Sequence, residues 1–434
     1  MNVLLVQNKA RGRIAFPLNL LYLASVAEKG GHKVKILDLQ VEDIGRFLDS
    51  FRPEIVGITV YSYTFKECEK TASYIKGRLP EVPIIAGGIH ATTMPEEFFE
   101  KKLQVDFVAI GEGEETFKEF LENYPEKLKE VNGLLFREKN KLFRTPLRPP
   151  ISDLDSLPPL DFGLVDFSRY AGFAYVLGSR GCHHQCTFCC VPQVYGKKIR
   201  LRSPEKVVEE IEQLTENFEV KRVKFADADI AAVLPWFEKL LLEIRNQKVK
   251  AEFFSETRVD SLKQFNTTHF ELMKEAGFDR IYVGVENFSQ KILDYYEKGF
   301  KAKDALPVLK NCIDNGIIPV AYIILISPAD TLDTIGENLD GIAELVELGG
   351  FVFVNENVIP LPGTVLRERV DGRQLELWID GVSKKPFILS DEKADAFFDL
   401  VLKEENSKEL ERMHVLLSKA VDDKDYASAK KHNL

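Results

Sequence analysis

Short apolar runs alternate with helical patterns in two long blocks of the chain, and a polar, proline-dotted stretch separates the blocks. In the first block the strand-like runs are 3–6, 33–37, 55–60, 82–86 and 107–110, with helical patterns near 20–28, 65–78 and 115–122. Strands buried on both faces of a parallel sheet read as continuous apolar runs, and these do. Together they predict an α/β fold, a doubly wound domain of the flavodoxin or Rossmann type over 1–124. Residues 125–171, with Pro146, Pro149, Pro150, Pro158 and Pro159, read as a linker. Runs at 174–177, 222–225, 252–255, 280–285, 319–325 and 351–355 then predict a partial (β/α)6, TIM-like barrel over 172–368. Chemistry in such folds sits at the C-terminal ends of the strands. A short helical, charged tail is expected over 369–434.

At 434 residues the chain has room for two such domains. Lys and Arg total 58 against 68 Asp and Glu, a net charge of −10 that disfavours a nucleic-acid surface. A spanning helix needs roughly 20 apolar residues. The longest apolar stretch, 317–326, contains Pro319 and Tyr322, so no transmembrane segment is expected. The N-terminus lacks a basic region before its apolar run and reads as a first strand, which makes a cytoplasmic protein the expectation.

There are six cysteines, Cys68, Cys182, Cys186, Cys189, Cys190 and Cys312, and four of them fall within nine residues. A disulfide framework would spread them along an exported chain, so the clustering points to metal. Cys182, Cys186 and Cys189 stand at offsets 0, 4 and 7 in a glycine-flanked segment just after the first barrel strand. Three thiolates suit three irons of a cubane cluster and leave the fourth iron open for a ligand. A zinc site, which usually takes four ligands in two pairs, is the competing reading, with His183 and His184 as its nearest extra ligands. Plain packing of buried cysteines is the third. The compact trio without a second pair favours the cluster.

This spacing, with Phe188 before the last cysteine, resembles the signature of the radical S-adenosylmethionine superfamily. The resemblance covers about 174–368. It implies a [4Fe-4S] cluster on Cys182, Cys186 and Cys189 whose open iron is chelated by S-adenosylmethionine, which is cleaved to a 5′-deoxyadenosyl radical. Cys190 is extra to the pattern and reads as a bystander. Lys224–Asp229 is similar to the family's acidic segment after the second strand, which assigns Asp227 and Asp229 to the methionyl amino group. Ser255–Asp260 resembles its arginine-containing loop, where Arg258 would grip the methionyl carboxylate as a planar fork. Glu286 stands where the family places a ribose-contacting glutamate. At 324–331 the usual Gly-x-Pro-Gly-Glu-Thr turn lacks its glycines and its glutamate, so that turn must be remodelled. Pro362-Gly363-Thr364 matches a Pro-Gly-Thr turn that is architectural.

The first block carries no Gly-x-Gly-x-x-Gly after its first strand, which disfavours NAD and FAD. Instead Gly87-Gly88 with His90 follows the fourth strand, and Gly111-Glu112-Gly113 follows the fifth. Paired glycines let the backbone approach a bulky ligand. With Pro17–Ala24, these resemble the cobalamin-binding domain fused to many radical enzymes. The resemblance implies a nucleotide-loop channel lined by Gly87, Gly88 and the 59–64 region, with Thr59, Ser62 and Thr64. It implies contacts from Gly111, Glu112 and Gly113, and makes His90 a candidate for a polar contact to the cobalamin tail. The Asp-x-His-x-x-Gly lower-ligand motif is missing, so no histidine is assigned to cobalt.

These resemblances imply a cobalamin-dependent methylation of an unactivated carbon on a small or lipid-like substrate, fed by an electron donor of flavodoxin or ferredoxin type. The alternatives are a radical cyclisation or rearrangement, or a cobalamin-binding sensor with a vestigial barrel. Cys68 is alone in the first block and Cys312 alone after Cys190, so one cluster is expected rather than two. Trp236 and Trp378 read as packing residues.

Overall fold

The computed structural model describes residues 1–9 and 15–370; the expected helical tail and Trp378 lie outside them. The chain divides into two compact units, residues 1–183 with 190–226 and residues 184–189 with 227 onward.

In the first unit, β1 (Asn2–Gln7), β2 (Lys33–Asp38), β3 (Ile55–Thr59), β4 (Ile84–Gly87) and β5 (Phe107–Ala109) are parallel neighbours in the order β2-β1-β3-β4-β5. That is the flavodoxin-like order, with its switch point between β1 and β3, where ligands of open α/β sheets settle. Val3, Leu4, Leu5 and Val6 are fully buried, as a strand covered on both faces requires. The helix at Phe65–Arg78 has the bounds the sequence predicts.

The stretch read as linker contributes structure of its own. Within it, β6 (Leu134–Glu138) and β7 (Lys141–Arg144) extend the sheet antiparallel beyond β5. Their hairpin closes over Lys139-Asn140, both at positive φ (49° and 65°), the backbone of a two-residue turn that matches strand twist. Asparagine tolerates that conformation and lysine less so, which is why no Asn-Gly signal marks it in the sequence.

The six strands expected of the barrel are all present. In the first unit β8 (Phe173–Val176) is followed by a short antiparallel ribbon of β9 (Ser179–Arg180) and β10 (Arg200–Leu201); β11 (Arg222–Phe225) then pairs parallel to β8. In the second unit β12 (Glu252–Arg258), β13 (Arg280–Glu286), β14 (Ile318–Ile326) and β15 (Phe351–Asn357) form a parallel row. Along β13, Ile281, Val283 and Val285 are buried while Tyr282, Gly284 and Glu286 alternate on the other face. That period of two puts Glu286 on the same, less buried face as Tyr282 and Gly284, at the strand's C-terminal end. Trp236 is buried in the helix Leu234–Asn246, as a packing residue should be.

Candidate cluster and cofactor site

The cysteine segment is tied down at both ends. In the first unit, Gly181 (φ 91°) has no room for a side chain: a Cβ would lie 2.2 Å from the Lys198 carbonyl oxygen. The next residue, Cys182, donates its N–H to the Gly196 carbonyl. In the second unit, Thr187 donates its N–H to the Tyr296 carbonyl, Leu366 donates to the Thr187 carbonyl, and Cys189 donates to the Cys186 carbonyl. Phe188 packs edge-on against the fully buried Tyr296, ring centroids 5.1 Å apart.

Cys182, Cys186 and Cys189 are partly exposed, whereas Cys68, Cys190 and Cys312 are buried. Burial also pushes the Cys190 thiol up, away from the thiolate that a metal requires. Among the described residues no three Cys, His, Asp or Glu side chains close on a single ion. A cubane asks for something different, one thiolate at each of three separate corners. Three partly exposed cysteines would suit the three protein-held corners of such a cluster.

Around Cys186 the second unit builds a charged shell. Arg258 ends β12, and four of its five guanidinium N–H groups have partners. Nε donates to Asp260 Oδ1 at 2.9 Å and Nη2 to Asp260 Oδ2 at 3.2 Å. Nη2 also donates to the Lys298 carbonyl, and Nη1 donates to Cys186 Sγ at 3.3 Å. Burial would raise the Asp260 carboxyl, but the hydrogen bond and charge of Arg258, with His184 nearby, hold it below the ordinary value. The Nε–Nη2 edge of Arg258 closes on Asp260, so the expected clamp on a methionyl carboxylate would compete with that pair.

Glu286 sits at φ 68° beside a register shift in the β13–β14 pairing. Its Oε1 lies 3.1 Å from Lys298 Nζ, and the lysine side chain is only 3% exposed. Lys298 Nζ also lies 5.9 Å from the centroids of both Phe188 and Phe300. Gly284 makes room for the pair: a Cβ there would stand 2.9 Å from Glu286 Oε1 and 3.3 Å from Lys298 Nζ. No local sequence signal marks Lys298, since its partner lies 12 residues away.

Of the two acids after β11, Asp229 accepts from the Thr257 hydroxyl at 2.8 Å and the Ser261 hydroxyl at 2.7 Å. Burial raises its carboxyl against those two bonds. Asp227 is likewise buried. At the remodelled turn after β14, Asp330 replaces the missing glycines as the organiser. It is fully buried and accepts from the Ser327 N–H at 2.5 Å and the Thr334 hydroxyl at 2.7 Å. Burial lifts its carboxyl to about 6 despite both bonds. Thr364 of the Pro-Gly-Thr turn caps the helix Val365–Arg369, an architectural task as expected.

The cobalamin candidates of the first unit cluster at the C-terminal ends of β3, β4 and β5, and most of their polar atoms meet one another. Thr59 Oγ1 accepts from Asn19 at 2.9 Å. Thr64 Oγ1 accepts from the Tyr61 N–H and donates to the Tyr61 carbonyl. The Ser62 hydroxyl lies 3.1 Å from His90 Nδ1, and His90 Nε2 lies 3.3 Å from Glu97. His90 is buried against the rings of Phe65 and Phe98 and braces the 59–64 turn through Ser62. Gly88 (φ 100°) serves the neighbouring strand, since a Cβ would meet the Val60 backbone at 3.0 Å. Gly87 and Gly113 are partly exposed, and a Cβ at Gly111 would meet nothing within 4 Å, so backbone is open to a ligand at those points.

Glu112 has a different task from the one expected. Its carboxylate takes a two-pronged bond from Arg200, Nη2 to Oε1 at 2.5 Å and Nη1 to Oε2 at 3.0 Å, and accepts the Ile151 N–H. Arg180 donates to Glu114 at 2.6 Å and lies 3.8 Å from Glu112. All four side chains are buried, so the loop after β5 is locked to the β9–β10 ribbon. Sequence reasoning missed Arg180 and Arg200 because their partners are 66 and 88 residues away.

Comparisons with known proteins agree with this layout. Residues 7–121 match the B12 binding domain family and residues 176–342 the radical SAM superfamily. An uncharacterised methyltransferase of Pyrococcus horikoshii is 29% identical over 364 residues, covering 81% of this chain and 78% of that protein. An anaerobic magnesium-protoporphyrin IX monomethyl ester cyclase of Rubrivivax gelatinosus is 27% identical over 342 residues, 74% of this chain and 60% of the cyclase. The fold matches that of TsrM, a radical S-adenosylmethionine methyltransferase from Kitasatospora setae, with TM-score 0.73, 20% identity, and coverage of 86% of this chain and 76% of that one. The chain thus joins a segment that matches the B12 binding domain family to one that matches the radical SAM superfamily.

Proposed function

We propose that the chain is a cobalamin-dependent radical methyltransferase in which Cys182, Cys186 and Cys189 hold three irons of a [4Fe-4S] cluster. The observation that carries this is the contrast in exposure: these three thiols are accessible in an anchored segment, and the other three cysteines are buried. When bound, the cluster with S-adenosylmethionine and cobalamin supplies a hydrogen-abstracting radical and the chemistry of methyl transfer. The chain's own residues bind and orient. Asp227 and Asp229 offer buried carboxylates to the methionyl ammonium, and Glu286 offers its second oxygen to the ribose while Lys298 fixes the first. Gly87, Gly111 and Gly113 bring bare backbone to the cobalamin tail. Thr59, Ser62, Thr64, Gly88 and His90 form the stiff wall behind it.

Methyl transfer is favoured over cyclisation because the chain covers 78% of the methyltransferase relative but only 60% of the cyclase. The substrate belongs to the small-molecule or lipid-like class, and the reductant to the flavodoxin or ferredoxin class. Among the described residues no helix is long and apolar enough to cross a membrane. The test is anaerobic reconstitution with iron, sulfide and cobalamin, then reduction with dithionite and methyl-labelled S-adenosylmethionine in cell extract. The expected result is 5′-deoxyadenosine together with a labelled product. A protein with a full cluster that makes no 5′-deoxyadenosine overturns the reading.

A further inference from the structure

We infer that Arg258 sets the reduction potential of the cluster by donating a hydrogen bond to the sulfur of Cys186, and that Asp260 and the Lys298 carbonyl hold it there for that purpose. This rests on Cys186 being a cluster ligand. Nη1 points at Sγ at 3.3 Å, while Nε and Nη2 are fixed by both oxygens of Asp260 and Nη2 also by the carbonyl of Lys298. Three anchors on one guanidinium leave Nη1 a single direction. The residue is 5% exposed, so water does not compete for that donor. Phe300, with its ring centroid 6.0 Å from the guanidinium carbon, adds to the dry surroundings.

Reduction adds one electron, from a low-potential one-electron donor, and takes the cluster from the 2+ to the 1+ state. The added charge spreads onto the thiolate sulfurs, so an N–H aimed at one of them stabilises the reduced form more than the oxidised form. Hydrogen bonds to cluster sulfurs are among the levers that set such potentials. The positive charge of Arg258 acts in the same sense. Asp260 offsets part of that charge, which leaves the directional N–H as the larger contribution. The arginine thus acts on electron entry and not on the methionyl carboxylate.

The experiment is a redox titration of the reconstituted full chain, read by the electron paramagnetic resonance signal of the reduced cluster, for wild type and Arg258→Met. A hydrogen bond to a charged group is worth about a tenfold shift in an equilibrium. The ratio of reduced to oxidised cluster at a fixed poise is therefore expected to fall about tenfold, equal to about 59 mV for one electron. An Arg258→Met protein with full iron and an unchanged potential overturns the inference. Should the variant fail to assemble, electron spin echo spectra of 15N-arginine-labelled wild-type protein decide: a guanidinium nitrogen coupled to the reduced cluster supports the inference, and no coupling overturns it. Cys186→Ala separates the underlying reading, because full iron retention there refutes cysteine ligation whatever Arg258 does.

Discussion

Lys298 is the side chain whose removal should be felt most in the second unit. Its ammonium lies 3.1 Å from Glu286, with 3% of the lysine and 13% of the glutamate side chain exposed. At an effective dielectric of about 20, two unit charges at that separation attract by about 5 kcal/mol. Desolvation cancels much of that in the intact pair, but Lys298→Met leaves the carboxylate buried without its partner. Breaking one side of such a pair costs about 3–5 kcal/mol. The slightly wetter glutamate places this case near about 3 kcal/mol, a fall in melting temperature of about 6–12 °C for a unit of this size. Circular dichroism of the full chain, unfolded by heat and by urea, measures it. Lys298→Met with Glu286→Gln should recover to within about 1 kcal/mol of wild type, since neither charge is then stranded. Two single variants whose costs simply add in the double variant would refute the coupling, and with it the account of how Glu286 is oriented.

Gly284→Ala keeps an allowed backbone but pushes a methyl to 2.9 Å from the Glu286 carboxylate, so S-adenosylmethionine affinity, read by calorimetry, should drop while the unfolding free energy falls by only about 1 kcal/mol; unchanged affinity would exclude Glu286 from that site. Asp330 has its carboxyl raised to about 6 in the fold against 3.8 unfolded. A raised acid contributes stability at low pH that is lost as pH climbs through the folded value, so wild type should weaken against Asp330→Asn between about pH 4 and 6 and level off above 7. A stability difference that stays flat across that window would contradict the assignment. Cys190→Ala should retain the iron that Cys182→Ala loses, as read by iron and sulfide analysis, because Cys190 is buried and its thiol pushed up; equal loss in both would give Cys190 a ligand's role.

Much of the fold was legible because buried parallel strands advertise themselves. The run 222–225 and the helix 65–78 appear with the bounds their patterns predict. Where strands carry function the pattern breaks early. β12 continues through Glu256, Thr257 and Arg258, polar residues that hid three positions of strand. The β6–β7 hairpin was missed because its apolar content is short and its turn lacks glycine. Within the candidate site, the cysteine segment stood out by its spacing, and Glu286 only by its place in the family resemblance. The partners that define their chemistry were not, since Arg258 meets Cys186 across 72 residues and Arg200 meets Glu112 across 88. The family resemblances singled out Arg258, Glu112 and His90; only packing revealed which neighbour each one serves.

The knot of Arg180, Arg200, Glu112 and Glu114 bears on how the chain can be dissected. An excised fragment ending near residue 124 would keep both glutamates and lose both arginines, while the complementary piece would expose two guanidiniums designed for a dry interior. Each fragment would carry like charges at its cut face and tend to precipitate or bind nonspecifically. The B12-binding region is therefore not a detachable module here. Any shortened version meant to fold should run past residue 202, taking the ribbon and its arginines along with the sheet they clasp.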